Sequence, residues 1–424
     1  MKKLILVVII ISLLSACQSV SETNLEVLEF EEDTTKHTDS EVSEFEWDET
    51  EISGEVEETD EKVFSKEELL KLEVEELING MSLEEKVGQM FMLAFRQDQL
   101  GQPLTLITEE VLHTVLNYYI GGVILFSENI HTPEQTKELI DDLQVTSKLP
   151  LFIAVDEEGG QVSRIGNNPA MQVPRLLNSG LIGRLGDPQK AFETGSILGA
   201  YLSELGFNLD FAPVADVNTN PNNPVIGERA FGTDPLLVGT MVAEEVKGMQ
   251  EQGILATLKH FPGHGDTNSD SHMDQVEVDH DLDRLEKVEW LPFEVGIKAG
   301  VHMIMVGHIK TPNATKDNLP ASLSPTMVTE HLRGNLGFDQ VVITDALEMG
   351  AISNYYSSSE AAILAVEAGV DILLMPLDFP EAYNGVIEAV KNGRITEERI
   401  DESLMRILSL KYSEGIINEQ NELN

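Results

Sequence analysis

The sequence predicts an α/β fold, a single (β/α)8 barrel over residues 65–424 behind a disordered acidic tether, and three observations carry that prediction. Eight short apolar runs rich in β-branched residues recur along the chain. Amphipathic stretches long enough for crossover helices separate them, the alternation that builds a parallel sheet. Several of the runs end, at the same edge, in an ionisable residue. An open doubly wound sheet would share the first two features, but the Gly-x-Gly-x-x-Gly turn that cradles a phosphate after its first strand is missing.

Taken in order, the chain begins with Lys2 and Lys3 ahead of an apolar run over 4–14. That run suits a secretory signal and falls short of the roughly 20 residues that span a bilayer. It ends in Leu14-Ser15-Ala16-Cys17, which resembles the bacterial lipobox. Residues 1–16 are therefore expected to be a signal peptide, with Cys17 lipidated; a plain signal peptide with a chance cysteine is the alternative. Cys17 is the only cysteine, so no internal disulfide forms. Residues 17–64 read as a linker: between Gln18 and Lys62 stand 18 acidic residues against Lys36 and Lys62. Self-repulsion and scarce apolar surface keep such a segment extended, a spacer from the membrane rather than a cation- or partner-binding tail. The expected location is the extracytoplasmic face of the cell membrane, through the lipid anchor.

With 74 acidic and 28 basic residues the whole chain carries a formal charge of −46, which repels phosphate backbones and excludes nucleic acid as a partner. Beyond Lys62 there remain 56 acidic and 24 basic residues, a net −32.

The strand candidates are 91–95, 122–126, 151–156, 208–212, 254–260, 302–308, 341–345 and 370–376, and helices are expected over 132–146, 188–205, 236–252, 285–299 and 357–368. Strand three closes on Asp156, strand five on Lys259 and His260, strand six on His308 and strand seven on Asp345. In a (β/α)8 barrel the C-terminal strand ends form the mouth where chemistry occurs. Each residue also has a plainer reading: Asp156 and Asp345 as turn caps, Arg229 as the ion-pair partner of its neighbour Glu228, Met349 as pocket wall or core.

The densest constellation follows strand five, Lys259-His260-Phe261-Pro262-Gly263-His264-Gly265-Asp266-Thr267, and continues through Asp270-Ser271-His272. Histidines and aspartates on a Gly/Pro-containing loop point to function rather than packing. A metal site is disfavoured, because Pro262 and Gly263 keep His260 and His264 off a shared helical face. Acid/base work is the other reading: Asp270 and His272, two apart on an extended loop, can point the same way, the carboxylate fixing the imidazole tautomer.

These residues resemble glycoside hydrolase family 3, specifically its β-N-acetylglucosaminidase (β-N-acetylhexosaminidase) branch. Four further segments match in order: the Met81-to-Met90 stretch, the loop Asp156-Glu157-Glu158-Gly159-Gly160 through Arg164, Ile226-Gly227-Glu228-Arg229, and Ile343-Thr344-Asp345 through Ile352. The resemblance covers residues 65–415 and implies a TIM barrel. It implies that Asp345 is the nucleophile, His272 the general acid/base and Asp270 its partner in a dyad on a mobile loop. It places Asp156, Arg164, Arg229, Lys259 and His260 on the hydroxyls and N-acetyl group of the terminal sugar, with His308 also at the pocket. Lys259 and Arg229 are expected to keep Asp345 ionised by their charge. A retaining glycosidase needs a nucleophile and a proton donor, usually two carboxyl groups; an imidazole titrating near ~6.5 can take the donor role.

The implied activity is retaining exo-hydrolysis of non-reducing terminal N-acetylglucosamine, from cell-wall muropeptides given the expected export. β-Glucosidase members take their acid/base from a second α/β domain, and the chain runs only about fifty residues past the start of strand eight. Phosphorolysis is the competing reaction, since an imidazole does not repel phosphate as a second carboxylate would, and a catalytically silent sugar-binding lipoprotein is the competing class. No cofactor and no metal is implied; the partners expected are a carbohydrate and the membrane, and the protein is expected to be a monomer.

Overall fold

Residues 65–418 are described by the computed structural model, so the predicted signal peptide, Cys17 and the tether up to residue 64 lie outside the described residues. Eight parallel strands form the centre: β1 (Phe91–Ala94), β2 (Gly122–Ile124), β3 (Phe152–Val155), β4 (Leu209–Asp210), β5 (Leu255–Phe261), β6 (Met303–Val306), β7 (Val341–Thr344) and β8 (Leu373–Leu374). Seven of them lie inside one of the eight apolar runs, and β5 runs one residue past its own, through Phe261. They hydrogen-bond in chain order from β1 to β7, with β8 on the far side of β1. A bridge between Ile343 and Ile372 joins β7 to the start of the β8 segment, with Thr344 N–H donating to Ile372 O at 3.0 Å, and brings the ring to near closure. Every residue from β2 through β7 is buried, which is why these strands read as unbroken apolar runs rather than alternating ones.

Four of the surrounding helices begin in the same way, with a side-chain cap followed by proline in the first turn. They are Pro133–Thr146 behind Thr132, Pro188–Leu205 behind Asp187, Pro235–Gln250 behind Asp234 and Phe379–Lys391 behind Asp378. The cap oxygen takes up an amide that has no partner within the helix, and proline has no amide to leave unpaired.

One helix departs from expectation. The stretch 285–299 splits into a π-helical turn, Leu285–Glu289, and an α-helix, Leu291–Lys298. Pro292 cannot donate into a preceding turn, so the helix restarts around it. Trp290 at the junction is buried and stacks on Phe261 at a centroid distance of 5.6 Å, bracing the last residue of β5. Among the described residues no helix is long and apolar enough to cross a membrane.

Candidate active site

The loops that follow β3, β4, β5 and β7 meet over the C-terminal edge of the barrel. Immediately after β3 the chain forms a small hairpin, Glu157–Gly159 against Val162–Ser163. Its turn passes through Gly160 at φ +58°, where a Cβ would lie 1.8 Å from Asn178 Oδ1, so a glycine is required sterically as well as conformationally. The buried Glu157 carboxylate holds the hairpin from within. It accepts the amides of Arg164 (2.6 Å), Ile165 and Gly166 (both 2.9 Å) and the hydroxyls of Ser163 and Tyr201. Asp156 and Glu158, on either side of it, are left facing the mouth.

Opposite them stand two cations. Lys259, 2% exposed, donates to Asp156 Oδ1 at 2.8 Å and lies 2.6 Å from Glu158 Oε1. Arg229, from the 3-10 turn Gly227–Arg229, grips Glu158 through Nε at 2.9 Å and Nη2 at 2.7 Å. Burial pushes the Glu158 carboxyl up, but Arg229 and Lys259 outweigh it and hold the group far below the usual carboxylate range. Burial likewise pushes Lys259 down, and Asp156 and Glu158 more than reverse the effect, so the ammonium stays charged. Arg229 does not pair with Glu228, which instead takes Arg184 at 3.0 and 2.8 Å on the surface.

His260 completes this wall. Its Nδ1–H donates to Asp216 Oδ2 at 2.7 Å, leaving Nε2 turned toward Arg229 Nη2 at 3.5 Å. Asp216 is fully buried and also accepts the amides of His264 (2.6 Å) and His260 (3.3 Å), so one carboxylate shapes the whole turn after β5. His264, unlike its neighbour, faces inward. Its Nδ1–H donates to Thr267 Oγ1 at 2.7 Å and Ser271 Oγ–H donates to its Nε2 at 2.9 Å, while burial, helped by His260, pushes it down to about 4 and keeps the ring neutral. Among the described residues no group of three or more His, Cys, Asp or Glu side chains could hold a metal ion.

The remaining wall carries Asp345 and His272. Asp345 follows β7; its amide donates to Val306 O at 2.9 Å and its Oδ1 accepts Ala346 N–H at 2.8 Å. Burial pushes this carboxyl up, but the imidazoles of His308, His260 and His272 and the Ala346 amide hold it below the ordinary value. The expectation that Lys259 and Arg229 would do this is corrected here, since those cations are committed to Asp156 and Glu158. His272 Nδ1–H donates to Asp270 Oδ1 at 2.7 Å, and the same oxygen accepts the His272 amide at 2.9 Å. Burial pushes the Asp270 carboxyl up, but the two His272 contacts outweigh it and hold the group below its usual value.

A cavity of about 510 Å³ joins these groups. Asp156, Glu158, Arg164, Arg229, Lys259, His260, His272 and Asp345 all line it, together with Arg96, Phe126, Glu348 and Met349. Arg164 reaches Asp156 Oδ2 at 3.6 Å, and its Nε has no partner. Asp270 stands behind His272 rather than in the wall.

His308 requires a second correction. Expected among the sugar-binding residues, it is fully buried and does not line the cavity. Its Nε2–H donates to Ala346 O at 2.9 Å and its Nδ1 meets Ser322 Oγ at 2.8 Å; burial, the largest influence, pushes its pKa down. It is a strut beneath the Asp345 loop. Glu157, Glu158 and Asp216 are the residues that reading the sequence passed over. Asp216 had a signal, since it closes the segment after strand four as the other strand-end groups close theirs.

The chain is similar to known proteins over most of the described residues. Residues 82–410 match the family model described as the glycosyl hydrolase family 3 N terminal domain. The chain is 36% identical over 365 residues to beta-hexosaminidase A of Pseudoalteromonas piscicida, covering 78% of this chain and 61% of that protein. It is 31% identical over 344 residues to the beta-hexosaminidase LpqI of Mycobacterium tuberculosis, covering 78% and 83%. A family 3 beta-N-acetylglucosaminidase structure from Paenibacillus superposes with a TM-score of 0.76 at 37% identity, covering 81% of this chain and 67% of that one. The chain thus spans about three-fifths of the length of the Pseudoalteromonas relative. With the match running through most of the barrel and its mouth, the chain belongs to glycoside hydrolase family 3.

Proposed function

We propose that the protein is a retaining exo-β-N-acetylglucosaminidase. The observation that carries this reading is the convergence of Asp345 and the Asp270-braced His272 on one cavity whose opposite wall is the Asp156–Lys259–Glu158–Arg229 ion cluster. The ion cluster and His260 would fix the hydroxyls of a terminal sugar by charged hydrogen bonds. Asp345, held ionised, attacks the anomeric carbon as the glycosidic bond breaks. His272 has Nδ1 committed to Asp270, so Nε2 delivers its proton to the departing oxygen. In the second half, Nε2 removes a proton from water, the water oxygen attacks the same carbon, and the bond to Asp345 breaks. Two inversions give net retention.

Peptidoglycan fragments exposed outside the cell membrane are the proposed substrates, with the protein exported and held there by a lipid on Cys17. The lipobox-like segment and the acidic spacer support that location, and beta-hexosaminidase relatives support the sugar. The test is product identification from a GlcNAc-MurNAc disaccharide with and without phosphate. Free N-acetylglucosamine in both buffers is expected. A sugar 1-phosphate formed only with phosphate would replace hydrolysis by phosphorolysis on the same residues; no product in either would leave a binding protein. His272→Ala is expected to lower kcat/KM steeply on the disaccharide and little on aryl glycosides whose leaving group needs no proton. Equal losses on both would remove His272 from the general-acid role.

A further inference from the structure

The imidazole of His272 is hydrogen-bonded to Asp270 of its own loop, and the side chain is 60% exposed. The backbone of that loop, however, is fastened on one side to the segment that follows Asp345. Gly350 N–H donates to His272 O at 3.0 Å and Ala351 N–H to Ser271 O at 3.2 Å. Asn354 Nδ2 donates to Met273 O at 3.1 Å, and Tyr355 donates its hydroxyl to Asp274. Four consecutive loop residues, 271–274, are therefore gripped by residues 350–355.

The close approach depends on Gly350. A Cβ there would lie 2.3 Å from Met273 O and 2.7 Å from Met273 C, backbone atoms that can yield only if the loop lifts. Gly350 opens the short helix Gly350–Ser353 and does not occupy the left-handed region, so alanine suits its own backbone and conflicts only with the docked loop. Tyr355 is half exposed and its hydroxyl donates to Asp274, so Tyr355→Phe removes that bond and keeps the ring.

We propose that residues 350–355 form a clasp that positions the proton donor relative to the nucleophile, with Gly350 and Tyr355 as positioning residues. One short segment then begins at Asp345 and ends on the loop of His272, so the two reacting groups share a support and keep their separation when the rest of the mouth moves. Positional error at a donor is costly, because proton transfer needs hydrogen-bond distance to the leaving oxygen. The inference rests on the acid/base role proposed for His272.

The experiment compares kcat/KM of the full chain and its Gly350→Ala and Tyr355→Phe variants on a GlcNAc-MurNAc disaccharide and on p-nitrophenyl N-acetylglucosaminide. On the disaccharide, Tyr355→Phe is expected to lose about tenfold and Gly350→Ala about a hundredfold, while both stay within about threefold of the parent on the aryl substrate. Adding His272→Ala to either variant should abolish its effect, since no donor remains to misplace. Equal losses on the two substrates, no loss on either, or an undiminished loss in the His272→Ala background would each overturn the clasp. If His272→Ala alone shows no dependence on the leaving group, it is the acid/base reading that fails; if it does and the two variants do not, only the clasp fails.

Discussion

Two lysines are buried at opposite ends of the barrel, and their surroundings differ in one respect. Lys259, at the C-terminal end of β5, meets the carboxylates of Asp156 and Glu158 and stays charged. Lys411, from the helix Glu397–Ser413, reaches under the N-terminal ends of the strands. It donates to Gln89 Oε1 and Gly121 O, both at 3.0 Å, and lies 4.8 Å from the centre of the Phe152 ring. Its partners are neutral, and burial alone pushes it down to about 7. Of these two buried amines, only Lys259 at the mouth is met by opposite charge. That difference separates a surface arranged to hold polar ligands from one arranged to hold the fold.

The largest effect expected from this contrast is at the mouth. Asp345→Ala should lower kcat/KM by at least about a thousandfold on any substrate, with the unfolding midpoint little changed, because among the described residues the carboxylate's hydrogen bond is to the Ala346 amide alone. Steady-state assays beside a thermal melt check this, and a variant that keeps a tenth of its activity would identify the wrong carboxylate. Lys259→Met should affect both properties. It leaves Glu158 to Arg229 alone and Asp156 without its close cation, for a loss of roughly 3–5 kcal/mol of stability along with most of the activity.

At the other end the expected signature is in pH. An unfolded lysine titrates near ~10.4, and Lys411 in the folded chain near about 7. Between those values the unfolded chain binds a proton that the folded one does not, so this group makes stability rise with pH, by at most about 1.4 kcal/mol per unit. Below about 7 both states are protonated and the penalty for the buried charge is present in full. Lys411→Met should therefore keep full activity at pH 6.5 and flatten the rise in denaturation midpoint between pH 7 and 9. Parallel stability profiles for parent and variant would place the Lys411 titration elsewhere.

How far the sequence shows this contrast depends on the kind of feature. The eight strands were legible because a parallel strand covered on both faces has no reason to carry polar residues, and Val341–Thr344 or Met303–Val306 read as strand and nothing else. The break at Pro292 was overridden by apolar spacing that runs through it, although proline alone predicts a restart. Strand ends located Asp156, Lys259, His260 and Asp345 correctly at the mouth. They could not separate His260 from His308, since whether a terminal side chain faces the cavity or the layer behind it depends on the local backbone path. Pairing was least legible of all. Nothing in the spacing ties Glu158 to Arg229, 71 positions apart, or Asp216 to His260, and Lys411 carries no mark in the sequence that distinguishes it from a surface lysine on a helix.

The smallest effect sharpens that last point at a single pair of neighbours. Glu228 and Arg229 are adjacent, of opposite charge, and on the same short turn, yet they do not pair. Glu228 turns outward to Arg184, and both side chains are at least half exposed. Arg229 turns inward, 10% exposed, onto a carboxylate that is 3% exposed. Water screens the first pair and supplies each partner when the other is removed, so Arg184→Ala should change stability by no more than about 0.5 kcal/mol. No water replaces Arg229 at Glu158, and Arg229→Ala leaves a buried carboxylate dependent on Lys259 alone, for a loss of about 3 kcal/mol and a higher KM. Denaturant titration of the two variants side by side measures the ratio. Equal losses would mean that Glu158 is hydrated, and with it that the ion cluster belongs to the surface rather than to a prepared sugar site.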